Sequence, residues 1–176
     1  MIDFDTEKLR TLVRNEIPLE ELEIGTIRFG KRYDCIDFFE INDIYIEDPA
    51  IEGYNYDSSN QTIRERFVRL EELKGFVHLA GGLACTVENQ HISGFRISKK
   101  YIEPVADFSR EQILAYHGAP ELELIDDYLH SGFDYAIDNY ILVYNAKKLN
   151  FYIDPGTGLL REIYTGLLDL KYFRMR

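Results

Sequence analysis

Hydrophobic and polar positions alternate most regularly in the last third of the chain, from residue 107 to residue 166. Three stretches there are rich in Tyr, Ile, Leu and Val, which is typical of β-strands. The breaks between them contain Asn, Asp, Pro and Gly residues that favour turns. The predicted strands are 140–144, 149–153 and 159–164. The acidic segment 121–127 that precedes them is interpreted as a connection.

A helix is predicted directly before this connection. Ser109 and Gln112 have the spacing of a capping box, in which each side chain bonds a free backbone amide of the other residue. Phe108 and Ile113 flank the cap as a hydrophobic staple, and Gly118 can adopt the left-handed conformation that ends a helix. The whole unit is therefore expected to be a helix packed across an antiparallel meander.

Two further helices are predicted in the first hundred residues. Asp5 is the expected N-cap of a helix that runs to about residue 15. Thr62 and Glu65 form a second capping box before a helix that stops near Gly75. Between these helices, residues 49–61 are the most polar and least periodic segment, and we interpret them as a surface loop or a binding loop.

Strands occupy most of the remaining N-terminal sequence. Asn42 and Asp43 both tolerate left-handed dihedrals, so they predict a two-residue hairpin turn. Gly81 and Gly82 interrupt an apolar run, which predicts either one kinked strand or two strand pieces. The predicted strands are 23–29, 37–41, 44–48, 76–87 and 92–98.

These elements predict an α+β fold, a mainly antiparallel sheet with a few short helices packed on it. A length of 176 residues fits a single domain. The order helix, strand, strand, strand occurs in 5–48 and again in 109–164, which suggests two topologically similar halves. The corresponding sub-units are 1–48 and 107–166, linked by the helix and hairpin of 62–98.

Charge narrows the class of partner. The chain has 31 acidic and 20 basic side chains, a formal net charge of −11. Such a field repels phosphate backbones, so it disfavours nucleic acid and favours a basic protein or a cation. No apolar run is long enough to span a bilayer and no secretory signal is recognisable, so we expect no membrane contact and a cytoplasmic location.

One catalytic hypothesis rests on Cys85. A histidine could activate this thiol, and an aspartate such as Asp126 or Asp127 could orient the histidine, as in a thiol hydrolase. However, Cys85 lies in an apolar stretch, where a thiol is usually an inert core residue. The candidate histidines are His78, His91, His117 and His130.

A metal site is the other chemical hypothesis. A cluster of aspartates in the acidic part of the chain offers oxygen ligands for a hard cation, but it lacks the alternating spacing and central glycine of a calcium loop. A solvated acidic face is the favoured interpretation, and we expect no metal, no cofactor and no catalytic residue. The cluster consists of Asp126, Asp127, Asp134 and Asp138.

The last third also resembles known bacterial modules. The stretch 108–113, the glycine and proline of 117–120 and the three strands that follow are similar to the helix and three-strand unit of β-lactamase-inhibitory-protein-like modules and of small outer-membrane-assembly lipoproteins. They also resemble acidic immunity proteins and domains encoded beside bacterial polymorphic toxins. The resemblance implies a binding module that presents a sheet face and loops to another protein.

Three functional hypotheses follow. The first is a non-enzymatic protein-interaction module, in particular an immunity-type inhibitor that covers a basic toxin or effector. The second is a cysteine- or metal-dependent hydrolase, and the third is a structural homo-oligomer subunit. Under the first, exposed acids and aromatic side chains supply the contacts. The expected contact residues are Tyr54, Tyr56, Asp57, Asp126, Asp127, Tyr128 and Asp134.

Overall fold

The structure is a computed structural model that describes residues 2, 4–48, 61–126, 139–168 and 174–175. Its α-helices are α1 (Thr6–Val13), α2 (Ile63–Arg69) and α3 (Arg110–His117). Its strands are β1 (Glu23–Ile24), β2 (Ile27–Arg28), β3 (Ile41–Glu47), β4 (Lys74–Leu79), β5 (Leu83–Glu88), β6 (His91–Ile97), β7 (Leu122–Asp126), β8 (Asn139–Tyr144), β9 (Leu149–Ile153), β10 (Leu160–Thr165) and β11 (Arg174–Met175). Short 3-10 helices lie at Leu19–Glu21, Tyr33–Cys35, Phe38–Glu40, Lys99–Tyr101, Glu103–Val105 and Asn145–Lys147.

The predicted α+β class is confirmed. Nine of the described strands form one antiparallel sheet in the order β11-β7-β8-β9-β10-β6-β5-β4-β3, and β1 pairs with β2 in a separate hairpin. Apart from the edge strand β11, this order consists of two four-strand meanders, β3–β6 and β7–β10, which join where β10 pairs with β6. The topological similarity therefore lies between these two meanders. Of residues 5–48, only β3 belongs to the large sheet.

Local capping signals are reproduced in the structure. The Asp5 carboxylate accepts the backbone amides of the first turn of α1, and Thr62 and Ser109 complete capping boxes on α2 and α3. Gly118 ends α3 as its sequence position predicts, but its φ of +78° and ψ of −166° lie outside the left-handed helical conformation that was expected. None of the described helices is long and apolar enough to cross a bilayer.

The hairpin predicted around Asn42 and Asp43 is wrong. β3 runs through both residues as one strand, and the residues before it form a 3-10 helix. The pairing of β3 with β4 shifts register between Ile41 and Asp43. This bulge adds one residue to β3 and shifts the alternation of its side chains between the two faces. Ile41 and Ile44, three residues apart, are therefore both buried.

The acidic connection predicted at 121–127 is also wrong, because it contains β7. Leu124 is fully buried on one side of this strand. On the other side, Glu123 accepts a hydrogen bond from Arg110 of α3 at 2.9 Å, so a helix arginine compensates the carboxylate. The acidic residues made this segment look like a loop, although every second position packs as in a strand.

Glycine turns correct one strand prediction and decide between the two alternatives of another. The strand predicted at 23–29 is instead the β1–β2 hairpin, which turns at Gly25 with a φ of +62°. The run 76–87 is two strands, since Gly81 and Gly82 have φ values of +80° and +98° and form the turn between β4 and β5.

The three helices cover one face of the sheet. The core between them is formed by side chains of α1, α3 and alternate positions of the strands, including Leu12, Ile113 and Phe151, all fully buried. A second, smaller apolar cluster lies on the opposite face of β7, β8 and β9. It consists of Leu124, Ile141, Val143 and Tyr152, with Leu122, Tyr164 and Leu168 packed against it.

Candidate protein-binding surface

The contact residues predicted from the sequence fall mostly in two segments outside the described residues. Tyr54, Tyr56, Asp57, Asp127, Tyr128 and Asp134 all lie there. Asp126 is the last residue of β7, and only its place in that strand is described. The structure therefore locates the ends of both segments.

The ends of the first segment are held together by one arginine. Arg69, the last residue of α2, donates to Asp48 at 2.8 Å and to Gln61 at 3.1 Å. The segment from 49 to 60 thus starts and finishes beside α2. This fixes where the segment that contains Tyr54 and Tyr56 joins the fold.

The second segment starts and finishes at the opposite corner of the sheet. β3 and β7 are separated by six other strands, which corresponds to about 34 Å at the usual spacing between strands. Because every neighbouring pair is antiparallel, β3 and β7 run in opposite directions and end at opposite ends of the sheet. The attachment points of the two predicted contact regions are therefore far apart.

Cys85 lies in the middle of the sheet and is fully buried. It pairs with Val77 and Phe95 on the helix-covered face, whereas His78 pairs with Ala84 and points to the opposite face. Burial raises the pKa of the Cys85 thiol above its ordinary value, which disfavours the thiolate. The geometry thus gives Cys85 neither solvent access nor His78 as a base.

The other described histidines have structural contacts. His91 Nδ1 is 2.7 Å from the Asn89 carbonyl in the β5–β6 turn, and His117 Nε2 is 2.8 Å from the Val13 carbonyl. Within the described residues, no group of three or more His, Cys, Asp or Glu side chains is arranged to hold a metal ion. The remaining members of the aspartate cluster, Asp127, Asp134 and Asp138, lie outside those residues.

A different surface stands out because it exposes a large aromatic side chain. Phe39 is 94% exposed, the highest value among the large hydrophobic side chains that the structure describes. It lies in the 3-10 helix before β3, where its backbone amide donates to the Asp37 carboxylate at 3.0 Å. The backbone beneath the exposed ring is therefore fixed by a side-chain cap.

Phe39 is the outer end of an aromatic row that starts in the core. Tyr33, only 4% exposed, meets Phe67 of α2 edge-to-face with ring centroids 4.9 Å apart. Phe67 meets Phe38 at 5.7 Å, and Phe38 meets Phe39 at 6.4 Å, again edge-to-face. Such contacts stabilise aromatic pairs beyond simple burial, so the row connects the exposed ring to the core.

A polar network holds the inner end of the row. The Tyr33 hydroxyl donates to Glu71 at 3.1 Å, and the same carboxylate accepts from Arg32. Arg32 also donates to Gln90 at 2.6 Å, and the Gln90 amide returns to the Glu71 carbonyl at 3.1 Å. Burial, followed by the bond to Glu71, raises the pKa of Tyr33 above its ordinary value, so the phenol stays protonated.

α2 provides the neighbouring part of this surface. The Arg64 guanidinium lies 5.4 Å from the centre of the Phe38 ring. Val68, one helical turn further on, is 62% exposed and shares the solvent-facing side of α2 with Arg64. We define the Phe39 surface as Asp37, Phe38, Phe39, Arg64, Phe67 and Val68.

The N-terminal segment that carries Phe39 is predominantly acidic, whereas the neighbouring α2 carries three arginines and one glutamate. Residues 4–48 carry twelve acidic and six basic side chains, a net charge of −6 out of −11 for the whole chain. Asp37 is exposed, and Glu40 follows Phe39 directly in the 3-10 helix. An exposed aromatic side chain flanked by two acidic residues is suited to a basic partner.

Sequence reasoning missed the Phe39 surface, although one local signal was present. A strand directs successive side chains to opposite faces, so the consecutive Phe38 and Phe39 could not both be buried in a half-exposed strand. The flanking acids Asp37 and Glu40 also favour an exposed turn over a strand. The contacts to Phe67 are not visible in the sequence.

Comparisons with protein families, with curated proteins and with solved structures gave no match for this chain.

Proposed function

We propose that the chain is a non-enzymatic protein-interaction module that binds a basic partner protein through the Phe39 surface. The observation that carries this proposal is the exposed ring of Phe39, held in a capped turn at the end of an aromatic row. Isolated exposed hydrophobic residues are common on monomers, but this ring contacts that of Phe38, which in turn packs against Phe67 of α2.

The energetics of association support such a role. Full burial of a Phe side chain contributes about 1.5–3 kcal/mol, which the free protein does not gain at Phe39. Association is also weakened by the entropy lost when flexible interface groups become ordered. The Asp37 cap already fixes the backbone at Phe39, so part of that loss is avoided here. Aromatic side chains, Phe among them, are enriched in the cores of protein interfaces.

The most specific form of the proposal is an immunity-type inhibitor that covers a basic toxin or effector. The formal net charge of −11 favours a basic partner and rapid association at low salt. The resemblance of the last third to immunity-type modules supports the same class. Tyr54, Tyr56 and Asp57 are proposed as additional contacts, since their segment joins the fold beside α2, which also carries Phe67.

The test is an affinity capture that compares matched variants. Tagged wild-type protein, Phe39→Ala and Leu167→Ala are incubated with the lysate of the source cells at low and moderate salt. Leu167 is the control because it is 66% exposed and follows β10, four strands away from β3 in the sheet. A basic protein retained by wild type and Leu167→Ala but lost with Phe39→Ala supports the proposal. Equal recovery with all three variants contradicts it.

A further inference from the structure

We infer that Asp37 and Phe39 together bind an arginine side chain of the partner. This inference rests on the proposed function and specifies the chemistry of the partner at the Phe39 surface. It starts from the cations that already contact the aromatic row. Arg32 lies 5.6 Å from the centre of the Tyr33 ring, and Arg64 lies 5.4 Å from the centre of the Phe38 ring.

The outermost ring lacks such a cation. Phe67 lies between Tyr33 and Phe38 inside the row, so its ring is already in contact on two sides. Among the residues that the structure describes, none places an ammonium or guanidinium group over Phe39. With 94% of its surface exposed, Phe39 offers a ring face to a cation from another molecule.

Asp37 supplies the complementary charge. Its Oδ1 accepts the Phe39 amide at 3.0 Å, which holds the carboxylate beside the backbone of the exposed ring. Asp37 is itself exposed, and no basic side chain in the described part of the chain forms an ion pair with it. A carboxylate has about four acceptor positions, so this one retains capacity for an incoming donor.

Arginine fits this pair better than lysine. A guanidinium is planar, so one face can stack on the Phe39 ring while its edge donates to the Asp37 carboxylate. An ammonium group is more strongly hydrated and has no planar face to stack on a ring. A second copy of this chain is a poor source of that arginine, since two chains of net charge −11 repel each other.

The experiment uses hexa-arginine and hexa-lysine peptides as probes with the full chain. Backbone amide NMR spectra are recorded during titration, and the shifts of residues 37 to 40 report on the site. We expect the arginine peptide to shift these amides and to bind several-fold more tightly than the lysine peptide. Equal affinity of the two peptides, or shifts confined to other regions, would overturn the arginine inference.

Two variants separate the ring from the charge. Phe39→Leu keeps an apolar side chain but removes the ring, and Asp37→Asn keeps the capping acceptor but removes the charge. Each should weaken binding of the arginine peptide by about 2- to 30-fold, the range expected for a cation–π contact or a charge-assisted hydrogen bond. Glu111→Gln removes one charge from an exposed position on α3 and should change the affinity little. An Asp37→Asn effect no larger than that of Glu111→Gln contradicts the inference.

The two proposals fail in different ways. If the peptides do not discriminate but capture of a basic protein still depends on Phe39, the arginine inference is wrong and the interaction module remains. If capture is also independent of Phe39, both are wrong. Undisturbed amide spectra of each variant in the absence of peptide exclude unfolding as the cause of lost binding.

Discussion

Replacement of His117 should remove a defined part of the pH dependence of stability. His117 ends α3, and its side chain is 9% exposed. Its Nε2 lies 2.8 Å from the Val13 carbonyl, which can only accept, so this nitrogen carries the proton. Nδ1 faces the ammonium group of Lys147 at 3.4 Å and accepts from it. The imidazole is therefore held in its neutral form, between the rings of Tyr144 and Phe151.

The magnitude follows from the pKa of this group. Burial lowers the pKa of His117 from 6.5 to about 4, and the bond to Val13 offsets only part of that effect. Below pH 6.5, His117 binds a proton in the unfolded chain but not in the folded chain. The free energy of unfolding therefore falls as the pH falls towards 4. Since one pKa unit corresponds to about 1.4 kcal/mol, His117 should account for a loss of about 3 kcal/mol over this interval.

The assay is urea unfolding of wild type and His117→Gln between pH 7 and pH 4. The Gln amide can still donate to the Val13 carbonyl but does not titrate. Carboxylates whose pKa values are lowered by their partners, such as Asp107 beside Arg10, titrate in both proteins and cancel in the difference. We expect the stability of wild type relative to the variant to fall by about 3 kcal/mol across the range. A difference that stays constant with pH would show that His117 is not held neutral by burial.

Three further predictions test other parts of the fold. Gly94→Ala should destabilise the protein by about 1–3 kcal/mol in urea unfolding, because a Cβ would lie 2.2 Å from the Thr165 carbonyl oxygen across the β6–β10 junction. Asp43→Asn should lower the free energy of unfolding by about 1–3 kcal/mol, since the guanidinium of the buried Arg66 loses its carboxylate partner at 2.7 Å. Cys85 should resist alkylation at neutral pH and react only after unfolding, since it is fully buried.

Each of these has a matched control or an opposing result. Gly156→Ala places a Cβ 3.2 Å from a side-chain oxygen in an exposed turn, so it should cost much less than Gly94→Ala. Glu47→Gln breaks an exposed ion pair with Lys74 and should change stability by less than about 1 kcal/mol. If Gly156→Ala lowers stability as much as Gly94→Ala, the close contact at the β6–β10 junction is contradicted. If Glu47→Gln lowers stability as much as Asp43→Asn, the role of the carboxylate beside Arg66 is contradicted. Rapid alkylation of Cys85 in the folded protein would contradict its burial and support the hydrolase hypothesis.

Local sequence signals predicted the starts of the helices well because their causes lie within a few residues. The predicted end of α2 near Gly75 is wrong, since α2 ends at Arg69 and Gly75 lies in β4. The caps at Asp5, Thr62 and Ser109 bond backbone amides two or three positions away. Such features are fully specified by adjacent residues.

The incorrect predictions involve partners that are distant in the sequence. β3 continues through Asp43 because Arg66 of α2 donates to that carboxylate and to the carbonyl of Ile44. β7 tolerates Glu123 because Arg110 compensates its charge. Pairing of β6 with β10 joins residues more than sixty positions apart, such as Ile97 and Ile163. Neither composition nor periodicity carries information about these contacts.

The same limit applies to the Phe39 surface. Its exposed ring follows from the 3-10 helix that Asp37 caps, which is a local signal. Its connection to the core depends on Phe67, which lies 28 residues further along the chain. Sequence reasoning therefore predicted an interaction module from charge and composition, with contact residues in segments other than the Phe39 surface.

The most direct test of the central claim is the affinity of the captured basic partner for wild type, Phe39→Ala and Leu167→Ala, measured by surface plasmon resonance at two salt concentrations. Loss of about 1.5–3 kcal/mol of burial predicts that Phe39→Ala binds about 10- to 150-fold more weakly, and that Leu167→Ala binds like wild type. The association rate of wild type should fall as salt rises. Unchanged affinity of Phe39→Ala for that partner would contradict the assignment of the Phe39 surface as the binding site.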